Sequence, residues 1–151
     1  MNIFILDENL KTSAEKLFEL DPVRARKQIV ELTQMLACCV DVELKKSNGD
    51  VYKTPKSICN HPATIWVRAN ISYCIQYLQE LIFAYGKPHG CDEALAQLLF
   101  LSDFRGDVNL GWHTKKVTAE ELLGRVVKCN ADICEANTLY IKEKLKGNYK
   151  N

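Results

Sequence analysis

The sequence predicts a mainly α protein: one domain over residues 1–151, a helical bundle around two long helices, with a short N-terminal strand and a small β-hairpin. Three observations carry this. Asp21 followed by Pro22 supplies a capping carboxylate and a residue pre-set for the first helical turn, and apolar residues then recur at Ala25, Ile29, Leu32, Leu36 and Val40. A second helical run opens at Asn60-His61-Pro62 and stops at Gly86, which can take the left-handed conformation that closes a helix. Hydrophobic residues make up 47% and charged residues 26% of the 151, a balance suited to burying roughly two thirds of the unfolded surface in one core.

Taken in order, the apolar run at residues 2–6 reads as a short buried strand, and residues 7–12 supply the turn and cap of a helix ending near Leu20. The Pro22 helix runs to about Val40. Val42 to Leu44 and Val51 to Lys53 flank Ser47-Asn-Gly-Asp50, whose Asn-Gly pair supplies the positive φ of a tight hairpin turn. The second long helix is apolar on more than one side: Val67, Ile71, Cys74, Ile75, Leu78 and Ile82 on one, Trp66, Tyr73 and Tyr77 on another. That places it at the centre of the bundle. A shorter helix follows from about Asp92 to Ser102, then a polar loop over 103–117. Thr118 and Glu121 have the spacing of a capping box, and a last helix over 131–146 follows a break at Asn130.

The net charge of +1 means that a nucleic-acid or nucleotide site must be a local basic patch rather than a global field. Residues 2–6 are too short a run for a signal peptide before Asp7, Glu8 and Lys11, and no apolar stretch is long enough to cross a bilayer. A cytoplasmic protein with no membrane partner is expected. Its seven cysteines should then be reduced thiols, and a disulfide would be a product of oxidation rather than part of the fold. Cys59-Asn-His61 and Cys129 with Cys134 offer ligand types without a paired zinc pattern. Phosphate-loop, dinucleotide, nucleophile-elbow and His-Glu-x-x-His motifs are all missing, so neither a metal nor a cofactor is expected.

Several constellations can carry chemistry. Arg24, Lys27, Glu31 and Gln34 recur at spacings of three and four on one side of the Pro22 helix. They read either as a solvated face or as a phosphate-contact surface, Arg24 giving a planar fork and Lys27 a point charge. Asn60, His61, Trp66 and Arg68 cluster at the entrance of the second long helix, where free amides attract anions and an indole can stack a base; Trp66 as core and His61 as cap are the competing readings. Lys87 and His89 follow Gly86, about 35 Å from His61 along a straight helix. The segment from Phe104 to Lys116 mixes basic residues, Trp112 and His113 in a loop of no nameable chemistry.

With these residues in view, the chain resembles a family of small, uncharacterised phage-encoded proteins that begin with a Met-Asn-Ile-Phe-x-Leu-Asp segment. The similarity runs through Gln28-Ile-Val-Glu-Leu-Thr-Gln-Met-Leu36, Asn60-His-Pro-Ala-Thr-Ile-Trp-Val-Arg68 and Tyr85-Gly-Lys-Pro-His89, about the first ninety residues. Arg24 stands where that family usually has histidine. More distantly, the order of elements is similar to phage pyrimidine-dimer DNA glycosylases of the endonuclease V type, with Phe18-Glu-Leu-Asp-Pro22 matching their Glu-Leu-Pro-type turn. That resemblance implies Glu19 as the catalytic glutamate. It departs at the nucleophile, an α-amine exposed by methionine removal in that family, because Asn2 is a poor signal for such removal.

The expectation is therefore a phage protein in the host cytoplasm that binds a phosphate-containing ligand, DNA or a nucleotide. As a DNA glycosylase-like enzyme it would use Glu19 and His61 as catalytic groups, with Arg24, Lys27, Glu31, Asn60, Trp66, Arg68, Lys87 and His89 as the binding set. The alternative is a non-catalytic binder of a nucleotide signal that counters host defence. A protein-interaction module is the third class.

Overall fold

The structure, a computed structural model, describes residues 2–102 and 133–146. The expected loop at 103–117, the helix opened by Thr118 and the break at Asn130 lie outside the described residues. Seven helices are described: α1 Leu10–Leu20, α2 Pro22–Ala37, α3 Lys56–Cys59, α4 Pro62–Ala69, α5 Ile71–Tyr85, α6 Asp92–Ser102 and α7 Ile133–Leu145. The mainly α reading stands, with α2 and α5 as the two long helices. Among the described residues no helix is long and apolar enough to cross a membrane.

One residue turns the corner between the first two helices. The Asp21 amide donates to Leu17 O at 2.9 Å, closing α1, while its Oδ1 accepts from the Arg24 amide at 3.1 Å, opening α2. Pro22 loses nothing at the first helical position, where an amide has no intrahelical acceptor. The apolar faces of α1 and α2 then close on α5, burying Ala14, Leu17, Ile29, Leu32, Leu36, Leu78 and Leu81 in one continuous cluster. At the far end of α5, Gly86 takes φ +71 and its amide returns to Ile82 O, as a left-handed cap requires.

Four expectations are corrected. Residues 3–6 are buried as foreseen and Asn2 partly so, but among the described residues they pair with no strand; side chains from four helices satisfy their backbone instead. The Phe4 amide donates to Gln28 Oε1 (2.7 Å), the Leu6 amide to Ser13 Oγ (2.8 Å), Tyr77 Oη donates to Phe4 O, and Asn137 Nδ2 donates to Ile5 O (2.9 Å). A run of β-favouring residues signals burial, and any acceptor of good geometry can replace a neighbouring strand. The hairpin likewise reduces to a bend with a single antiparallel bridge, Lys45 to Val51, turned at Gly49 with φ +94. Its outer edge is taken by one side chain of α6: Gln97 Oε1 accepts from the Lys45 amide and Gln97 Nε2 donates to Glu43 O.

The helix expected to run unbroken from Pro62 to Gly86 divides at Asn70, where φ is −138° and ψ 42°. Asn70 Nδ2 donates to Trp66 O at 2.9 Å, taking a carbonyl that the helical ladder would otherwise use, which is how asparagine competes with helix. Because α4 and α5 are separate helices, the straight-helix separation of His61 from Gly86 does not apply. The Pro22 helix also stops at Ala37, short of Val40, with Cys38 as its cap.

Candidate functional site

Spacing on α2 places Arg24, Lys27 and Glu31 along one side, and the structure shows which of them are free to act. Arg24 is committed. Its Nε lies 3.1 Å from Asp21 Oδ2, and its guanidinium covers the Phe4 ring at 5.4 Å, with Tyr140 stacked beyond that ring at 5.8 Å. This fastens the start of α2 to the N-terminal segment and to α7. Lys27 is 69% exposed and reaches Glu31 Oε1 at 3.7 Å, a contact weakened by solvent. Glu31 is itself largely covered and lies close enough to His61 to favour its charged form.

His61 caps α4. Its Nδ1 accepts from the Ala63 amide at 3.1 Å, and Pro62 follows at the first helical position. Burial pushes its pKa below the usual 6.5, against the opposing pull of Glu31. His89 does the same work at the start of α6: Nδ1 accepts from the Cys91 amide at 3.0 Å, and its ring meets Tyr85 edge-on at 5.4 Å. Burial lowers its pKa too, opposed by Asp92. Protonating either Nδ1 would put a proton where an amide already donates. The unfolded chain thus binds more protons than the folded one as pH falls below about 6.5, so stability is full above that value and declines below it. Melting temperature followed from pH 8 to pH 5 should fall on the acid side. In His61→Asn, which keeps a capping acceptor that does not titrate, that acid-side fall should be smaller; an unchanged fall would remove His61 from this account.

The remaining candidates disperse. Glu19 is exposed on the last turn of α1 and has no partner among the described residues. Among the described residues no hydrogen bond or ion pair joins Glu19 to His61, whose Nδ1 is taken by the Ala63 amide. Trp66 is 8% exposed and packs edge-on against Tyr73 at 6.2 Å, so its ring belongs to the core and offers no stacking face. Asn60 ends α3. Arg68 Nη2 donates to Cys59 O at 3.2 Å. Lys87 is exposed at the α5–α6 corner with His89, and among the described residues no hydrogen bond, ion pair or ring contact joins either to His61.

Two features went unread in the sequence. The exposed face of α2 and the 45–53 bend enclose an open groove of about 570 Å³, lined by Val30, Gln34, Lys46, Asp50, Val51, Tyr52 and Lys53. Lys46 Nζ lies 5.4 Å from the Tyr52 ring, and Gln34 Nε2 approaches Lys53 O at 3.5 Å. The Asn-Gly turn forecast the bend, but nothing local says that it folds back on α2. The second is the burial of the adjacent thiols at the end of α2, which pushes both Cys38 and Cys39 up, against the pull of the Arg68 charge. Among the described residues no group of three His, Cys, Asp or Glu side chains is arranged to hold a metal ion.

Comparison of the chain with protein-family models, with curated proteins and with solved structures gives no match.

Proposed function

We propose that the protein binds a phosphate-bearing ligand, DNA or a nucleotide, in the groove between α2 and the 45–53 bend, and does so without transforming it. The observation that carries this is the groove itself, where Lys46 and Lys53 face the exposed side of α2 and Lys27 lies one turn from Val30 at its rim. Exposed lysines on two elements give point charges that a phosphate can bridge, and an open groove admits a strand or a mononucleotide. His61 and Arg24 are occupied in holding helix starts, and among the described residues no hydrogen bond or ion pair joins Glu19 to either, so no nucleophile with an adjacent base supports the glycosylase reading. The resemblance to phage-encoded proteins favours a role in the host cytoplasm, where a non-catalytic nucleotide binder would sequester a signal.

Calorimetric titration with short single- and double-stranded DNA, mononucleotides and cyclic nucleotides tests the reading. At least one of these should bind, DNA affinity should fall steeply with added salt through counterion release, and Lys46→Ala with Lys53→Ala should weaken binding tenfold or more while the melting temperature holds. Unchanged affinity in the double variant, or borohydride trapping of a covalent adduct on damaged duplex DNA, would overturn it.

A further inference from the structure

The groove between α2 and the 45–53 bend is one of two hollows that meet. A second, of about 960 Å³, continues along α2 past Ala37 to Val40, is walled by Val42 and Pro55, and shares Val51, Tyr52 and Lys53 with the first. Val30, Gln34 and Ala37, spaced by four and three, line the pair from one stripe of α2. The two halves differ in charge: Lys46 stands in the first and Lys53 at the junction, whereas Asp41 and Glu43 line the second. Val42 and Val51 are exposed there at 39% and 41%. The backbone at the junction is open too. The Lys46 amide donates to Asp50 O at 2.7 Å and the Tyr52 amide to Leu44 O at 2.9 Å, so Lys45 and Val51 form a facing pair that exchanges no bonds and turns its polar backbone outward. Gln97 takes the Lys45 edge. The other edge faces α2, where Gln34 Nε2 approaches Lys53 O, and among the described residues no hydrogen bond reaches the Val51 amide or carbonyl.

We propose that the two hollows together hold a single nucleotide rather than a strand of nucleic acid, an inference that rests on the groove being the phosphate site. The phosphate lies between Lys46 and Lys53, and the base enters the apolar half, covering Val42 and Val51. A free amide beside a free carbonyl matches the edge of a nucleobase, which sets an acceptor next to a donor, so Val51 reads the base through its backbone. The charge pattern excludes the longer ligand. A strand laid along both halves would bring its next phosphate against Asp41 and Glu43, with Asp50 already in the first hollow, and repulsion there offsets what the lysines contribute. One anionic end and one uncharged, flat, hydrogen-bonding end is the chemistry of a nucleoside monophosphate.

Calorimetry of the full chain with AMP, GMP, CMP and UMP, their nucleosides, ribose 5-phosphate and a thymidine oligonucleotide tests this. At least one monophosphate should bind tenfold or more tightly than its own nucleoside and than ribose 5-phosphate, and at least as tightly as the oligonucleotide. Val51→Pro removes the open amide at an edge position where proline is tolerated. It should weaken that monophosphate fivefold or more and leave ribose 5-phosphate unchanged, while Val51→Thr, which keeps the amide, should bind both as the parent does. If circular dichroism shows Val51→Pro unfolded, methylating the hydrogen-bonding edge of the base should produce the same loss on the parent chain. Asp41→Asn with Glu43→Gln should strengthen binding of the oligonucleotide. An oligonucleotide bound tenfold more tightly than every monophosphate, or ribose 5-phosphate bound as tightly as they are, would overturn the single-nucleotide inference and leave the groove its phosphate. No binding of any probe, or binding undiminished in Lys46→Ala with Lys53→Ala, would overturn both.

Discussion

Trp66→Ala is expected to lower stability by about 3–5 kcal/mol, the cost of emptying a tryptophan site in a core that cannot fully collapse around it. The ring is 8% exposed and meets the edge of Tyr73, so the change opens a void between α4 and α5 beside the break at Asn70. For a chain of this length that corresponds to a fall of roughly 6–20 °C in melting temperature. Trp66→Phe, which keeps much of the packing, should fold and bind ligand as the parent does. A Trp66→Ala variant of unchanged stability that had lost ligand binding would return the indole to the surface as a stacking platform.

Gln28→Leu is the second large effect, expected at about 2–3 kcal/mol although the substituted side chain is apolar and of similar length. Gln28 is 2% exposed, and its amide group serves the N-terminal segment twice, accepting from the Phe4 amide and donating to Asn2 O at 3.0 Å. Leucine would leave the buried Phe4 amide with no acceptor, and an unpaired buried donor loses the whole of its hydration. Urea denaturation should show an earlier midpoint with the slope retained. An unchanged midpoint would mean that residues 2–6 find their hydrogen bonds elsewhere. Tyr77 and Ser13 offer a parallel route, since Ser13 Oγ takes the Leu6 amide and donates to Tyr77 Oη, which donates to Phe4 O.

What was legible in the sequence was the chemistry that acts within a turn of chain. Asp21-Pro22, Gly86 and the Asp92–Ser102 run each announce a helix boundary through residues that act on their own turn of chain, and the structure places all three accordingly. The break at Asn70 escaped because apolar residues continue on both sides of it, and only the bond from Asn70 to Trp66 O decides the matter. Residues 2–6 announced burial but not what would satisfy their backbone, since the partners are Ser13, Gln28, Tyr77 and Asn137, up to 132 positions away.

The candidate site divides the same way. The spacing of Lys27 and Glu31 predicted a shared face, and a cap was the competing reading for a His61 expected to be catalytic; both are local relations. That Arg24 would cover the Phe4 ring, and that the 45–53 bend would bring Lys46 and Lys53 to α2, are tertiary facts. No periodicity encodes them.

The claim that most needs testing is that ligand lies between α2 and the bend. Backbone amide NMR spectra of isotope-labelled protein, recorded while a DNA oligomer or nucleotide that binds in calorimetry is added, report this directly. The account predicts shift changes concentrated at Lys27, Val30, Gln34, Lys46, Tyr52 and Lys53, weakening as salt is raised. Changes confined to the Lys87–His89 corner or to the exposed end of α1 around Glu19 would contradict it.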